Sequence, residues 1–249
     1  MEEEAAAELE EKKNEERQAM LEQMSEAKRK MLENLDLTLP IDELPDCPEK
    51  FTKIEEQCFD TNDKYIDMQF PYDDENKVLG ERIVNEPGKR YIKRWERASN
   101  FEKAVLFDNE ASHEDITQGA LGDCYFLSAL SVLSNQRIKD IFISEADGDD
   151  KWRRTGCFLL RFFKNGNPEY IIVDDYLPLD GADMPAFTKG GSDGMEMWPA
   201  ILEKGYAKLY SSYSFIEAGK VQIALADLVE KGFPEEMKLA NYKKNLKLF

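Results

Sequence analysis

The chain is short of histidine, of paired cysteines and of positive charge, and each shortage excludes a class of function. A single histidine, His113, occurs in 249 residues, too few to build a histidine-based zinc site. The four cysteines, Cys47, Cys58, Cys124 and Cys157, are irregularly spaced and include no CxxC pair. They make neither a disulfide framework nor a metal cluster. No apolar run approaches membrane-spanning length, and the N-terminus has no apolar signal-like core. Basic residues number 33 against 51 acidic ones, a net charge of −18. Nothing forms a phosphate-neutralising stripe, so nucleic acid is not an expected partner, and neither is an anionic membrane surface. A reducing, cytoplasmic setting is the default expectation. No EF-hand loop occurs either.

What is present suffices for one good core, with 42% hydrophobic residues. Residues 1–39 form a charged arm, free of glycine and proline, rich in helix formers and closed by Pro40 and Pro45. Its second half carries an apolar stripe at Met20, Met24, Ala27, Met31 and Leu35. Such a run is either a solvated helix or a docking arm for a partner groove. Residues 40–94 are acidic and turn-rich, which predicts an irregular lead-in. One short ordered element is expected at Tyr91–Arg97, where Ile92 and Trp95 do not separate helix from strand.

The stretch Gln118-Gly119-Ala120-Leu121-Gly122-Asp123-Cys124-Tyr125-Phe126-Leu127-Ser128-Ala129-Leu130 carries the candidate chemistry. From Tyr125 to Leu133 it is apolar or small on nearly every face, the mark of a buried helix. Asp123 stands at the N-cap position, and Gly119 and Gly122 loosen the loop before it. A thiol at a helix N-terminus feels the positive end of the macrodipole and unpaired N–H groups, which favour thiolate. The Gln118 side-chain amide, beside the backbone N–H of Cys124, offers a two-donor cradle for a developing oxyanion. The same residues also describe a core helix holding an inert cysteine, the ordinary lot of a free thiol. The full string resembles the nucleophile motif of the calpain family of papain-like cysteine proteases, Q-G-x-L-G-D-C-W-F/L-L. Tyr125 replaces the usual tryptophan.

Further segments extend the resemblance. Gly156–Phe163 and Tyr170–Leu177 read as the strands of a hairpin around Lys164-Asn165-Gly166-Asn167-Pro168. Val173-Asp174-Asp175-Tyr176-Leu177-Pro178 is similar to the family's V-D-D-x-L-P signature; its aspartates are expected to cap the strand and pair with Arg or Lys. A glycine-rich loop at 190–194 leads to a helix whose Trp198, Ile201, Leu202, Gly205, Tyr206 and Leu209 share one face. That helix resembles the family's W-x-x-L-L-E-K-A-Y-A-K segment, and its face is expected to pack on the Cys124 helix and the hairpin. Trp95-Glu96-Arg97 is faintly similar to the family's Trp-x-Arg. A last helix is expected from about Gly219 to Lys231. The resemblance implies an α+β fold, the Cys-bearing half of a papain-like protease core over residues 95–235. A basic tail, 236–249, follows.

The resemblance also implies what Cys124 needs. In calpains a histidine and an asparagine in a second half-domain complete the nucleophile. His113, eleven residues before Cys124, has no evident orienting partner. An isolated Cys half is therefore expected to be catalytically incompetent and to serve as an interaction module. Completion by a second half in a longer chain or partner would make it a calcium-dependent cysteine endopeptidase. For Ca2+, the resemblance implies Asp115 and Glu196 as acidic ligands, whereas Glu110 stands where the family has a glycine. Partners are expected to be proteins, either a second protease half or a cytoskeletal or ciliary assembly.

Overall fold

The computed structural model describes residues 46–85, 92–108, 111, 113–145 and 151–230, all within the unit Pro45–Phe249. The charged arm 1–39 and the basic tail 236–249 lie outside the described residues.

The lead-in expected to be irregular is largely helical. Helix α1 (Pro48–Thr61) opens with Cys47 as its cap, whose sulfur accepts a hydrogen bond from the Lys50 N–H at 3.5 Å. Pro48 adds a pre-set φ at the first helical position. Phe51, Ile54 and Cys58 are buried on one face, and Asn62 ends the helix in the left-handed region at φ 57°. Two short helices follow, α2 (Glu75–Leu79), capped by Asp74, and α3 (Glu81–Asn85). Gly80 between them has φ 82°, and a Cβ there would lie 2.1 Å from the Ser214 hydroxyl oxygen. Acidic composition hid these helices because each needs only a narrow apolar stripe.

The ambiguous element at Tyr91–Arg97 is a strand, β1 (Arg94–Arg97). It pairs antiparallel with β5 (Tyr176–Leu179), from Arg94 opposite Leu179 to Arg97 opposite Tyr176. A second pair joins β2 (Ile116–Thr117) to β6 (Lys189–Gly190). The expected hairpin is present as β3 (Cys157–Lys164) and β4 (Asn167–Asp174). Its turn is tighter than expected, just Asn165 and Gly166, both with positive φ as a two-residue hairpin requires. Pro168 therefore sits inside β4, opposite Phe163.

Helix α4 (Cys124–Ser131) is followed by α5 (Asn135–Lys139) and α6 (Trp152–Thr155). The long helix α7 (Trp198–Leu209) and then α8 (Val221–Leu228) complete the fold. The architecture is α+β, as the sequence implied. Tyr206 of α7 joins the layers: its ring stacks on Phe126 of α4 at 4.1 Å and meets Phe162 of β3 at 5.9 Å. Each such fully buried ring contributes about 1.5–3 kcal/mol by leaving water. Gly205 lets α7 approach the hairpin, since a Cβ there would fall 2.3 Å from the Leu160 methyl Cδ1.

Helix α7 also holds buried charge. The Lys204 ammonium pairs with the Asp174 carboxylate and donates to the Asp174 and Tyr176 carbonyls. Lys208 reaches Asp46 at 3.1 Å and Asp67 at 2.9 Å, tying the lead-in to the hairpin side of the core. Asp175 pairs with Arg97 and accepts from the Ser99 N–H at 2.9 Å. Both aspartates of the V-D-D signature are thus strand-end and ion-pair groups.

Candidate functional site

Three segments bring the candidate residues together. The loop 118–123 is held by backbone contacts to the segment around Ala186, whose carbonyl accepts from the Ala120 N–H at 3.1 Å. Gly119 is required by close approach, because a Cβ there would sit 1.7 Å from the Phe187 carbonyl oxygen. Gly122 is different: it has ordinary φ and its nearest neighbour to a Cβ is 3.8 Å away. Only one of the two loop glycines is sterically forced.

Cys124 is the first residue of α4 and is exposed, as its nucleophile reading needs and an inert core cysteine does not. Cys58 and Cys157, by contrast, are buried. The helix is not buried all round. Cys124, Ser128 and Val132, four residues apart, form an exposed stripe, with Val132 67% exposed. Ser128 turns its hydroxyl back onto the Cys124 carbonyl at 2.7 Å. Gln118 donates one side-chain N–H to the Leu121 carbonyl at 2.9 Å, which fixes the amide within the loop. An amide nitrogen carries two hydrogens, so one donor remains beyond that bond.

Asp123 occupies the N-cap position, but its carboxylate makes no capping hydrogen bond. Its ψ of 26° is outside the extended region from which a cap side chain reaches the first-turn N–H groups. The carboxyl turns inward instead and is fully buried beside Glu203 of α7. Burial pushes Asp123 up to about 7, with the Glu217 charge adding to it. Glu203 is likewise raised well above the usual carboxylate range, first by burial and then by Asp123, while accepting from the Thr188 N–H at 3.1 Å. Sequence reasoning missed Glu203, since a glutamate inside a helix reads as a surface residue. Tyr125, where the family has tryptophan, is half-buried, and its ring lies over Gly219, where a Cβ would be 2.3 Å from the ring.

Asp115 and Glu196 are drawn together by the β2–β6 pair. The Asp115 carbonyl accepts from the Gly191 N–H at 2.9 Å, and the Glu196 N–H donates to the Gly190 carbonyl at 3.2 Å. Glu196 accepts from the Asp108 N–H at 3.0 Å. Its carboxyl is pushed up to about 7 by burial, with Asp115 and Asp108 adding negative charge. Converging acids of this kind suit a hard cation held through oxygen. Among the described residues, however, no group of three or more His, Cys, Asp or Glu could hold a metal ion by side chains alone. Glu110 and the His113 side chain lie outside the described residues. No helix among them is long and apolar enough to cross a membrane.

Comparison with known proteins identifies the family. The family model for calpain family cysteine proteases matches residues 65–249. The Calpain-type cysteine protease DEK1 of Zea mays is 34% identical over 193 residues, covering 74% of this chain and 8% of its own length. Calpain-5 of Caenorhabditis elegans is 31% identical over 214 residues, 81% of this chain and 31% of its own. Calpain-13 of Rattus norvegicus is 32% identical over 183 residues, 72% and 26% respectively. The chain thus spans less than a third of the length of each of these relatives. With its exposed helix-start cysteine, its V-D-D strand end and its α7 helix all in place, the chain belongs to the calpain family of cysteine proteases.

Proposed function

We propose that this chain is the nucleophile-bearing half of a calpain-type protease core, incompetent by itself and acting as a protein-interaction module. The observation that carries the reading is the exposed Cys124 thiol at the start of α4 in a sequence with a single histidine. Thiolate attack on a peptide carbonyl needs an imidazole to take the thiol proton and return it to the leaving amine. That ring needs a third group to orient it. Without them, only substrate binding and oxyanion stabilisation by Gln118 and the Cys124 N–H remain. Docking would use the exposed α4 stripe and the charged arm 1–39, in a cytoplasmic assembly such as a cytoskeletal or ciliary complex.

A second reading is favoured by the preserved site itself. A partner or a longer chain supplying His and Asn would complete a cysteine endopeptidase, with Cys124 as nucleophile and Gln118 as oxyanion donor. Calcium would be held by Asp115 and Glu196 with backbone carbonyls, where its charge would offset the converging acids. The test is incubation of the purified chain with an unstructured protein and millimolar calcium. No turnover is expected. Hydrolysis abolished by Cys124→Ala would overturn the module reading, and a stoichiometric partner bringing His and Asn would establish the second. An unchanged melting temperature in millimolar calcium would remove the metal.

A further inference from the structure

Beneath the nucleophile lies an arrangement that two ionised carboxylates cannot explain. Asp123 is fully buried, Glu203 is 2% exposed, and the two carboxyls neighbour one another in the core. As carboxylates both are acceptors only, and neither Asp123 oxygen has a donor from any other group. Glu203 is served by the Thr188 N–H and hydroxyl, which leaves no donor for Asp123. A proton carried by one acid supplies the missing donor. The other groups around the pair do not replace it. Glu217, in the segment before α8, is a third acid, with Arg82 of α3 on its outer side at 3.7 Å. Tyr125 of α4 and Tyr213 of the turn 213–216 add neutral phenols, both raised by burial first and by the nearby acids.

We propose that Asp123 and Glu203 share a single proton, and that this acid pair is a positioning unit for Cys124. It moors the first turn of α4 to α7 and holds the charge under the thiol to one rather than two. The inference rests on Cys124 being the nucleophile of the proposed function. Asp123 precedes the thiol directly, and its carbonyl accepts from the Phe126 N–H at 2.8 Å, closing the turn that presents the sulfur. Loss of the shared proton places two like charges in a buried site, which is costly, and opposes thiolate formation one residue away. Asp123 and Glu203 touch no substrate in this scheme; they act through Cys124.

The test is the rate of Cys124 carboxamidomethylation by iodoacetamide from pH 5 to 9. It is read on the Cys124 peptide by mass spectrometry, because Cys47 is also partly accessible. Glu203→Gln replaces the shared proton with a permanent amide donor. The wild-type rate should rise with pH, then fall behind that of Glu203→Gln above about pH 7, by at least about threefold, the equivalent of half a pKa unit. Asp123→Asn, which supplies the donor from the other side, should behave like Glu203→Gln and serves if the first variant fails to fold. Superimposable profiles for the wild type and a folded variant would overturn the proposal. Proteolysis is not the readout, so a failure to find turnover with any partner would remove the endopeptidase reading and leave this profile intact.

Discussion

At the scale of single residues, the site depends on what a side chain would displace. Gly119→Ala should cost more than about 2 kcal/mol in urea unfolding, because its methyl would overlap the Phe187 carbonyl oxygen and backbone cannot yield cheaply. Gly122→Ala, whose methyl would meet only an ordinary van der Waals contact at 3.8 Å, should stay within roughly 0.5 kcal/mol of wild type. Equal losses at the two positions would refute this account of the loop. The nucleophile loop was legible in the sequence to this extent: a glycine-loosened loop leads into a helix that Cys124 begins. The fate of Asp123 was not legible. The rule that an acid before a helix caps it competes with the chance of burying that acid against another, and only tertiary packing decides between them.

At the scale of elements, alternating and helical periodicities served well where they were strong. The hairpin was legible from two aromatic and β-branched runs around Asn-Gly, and α7 from its six-residue apolar face. The helix α1 was not, although Phe51, Ile54 and Cys58 follow helical spacing, since Glu49, Glu55, Glu56 and Asp60 make the segment read as acidic loop. Outside α1, the lead-in is also tied down by ion pairs that no local pattern announces, Asp46 and Asp67 with Lys208. The buried pair between α7 and the end of β4 makes a prediction of its own. Lys204→Met would strand the buried Asp174 carboxylate without its cation and should destabilise by about 3–5 kcal/mol in chemical denaturation. A loss below about 1 kcal/mol would show that Asp174 is satisfied by the Asp67 and Tyr176 N–H groups alone.

At the scale of the whole molecule, buried acids set how stability responds to pH. Asp123 has an ordinary value of 3.8 and is pushed up to about 7 by burial first and then by Glu217. Between those values the folded chain holds a proton that the unfolded chain has released. The stabilisation is complete below about pH 4 and is lost as pH rises through about 7. Asp46 works in the opposite sense. Burial raises it, but Lys208 and Lys50 outweigh burial and hold it below the usual range, so its contribution disappears as pH falls through that lowered value. The melting temperature should therefore peak in weak acid and decline from pH 5 to pH 8, by about 2–4 °C for each kcal/mol lost. Scanning calorimetry across that range checks the sign, and a rising melting temperature from pH 5 to 8 would contradict it.

The ammonium of Lys208, wedged between Asp46 and Asp67, has a practical corollary for anyone trimming this polypeptide. The motifs that carry the family resemblance start near Trp95, which invites cutting everything upstream, although the family match itself begins at residue 65. Doing so would discard both counter-ions, leave the Lys208 ammonium with only the Ile172 carbonyl, and uncover the core face that the lead-in shields. A fragment starting at residue 95 should be recovered as insoluble aggregate, whereas one starting at residue 46 should remain in solution as a monodisperse species.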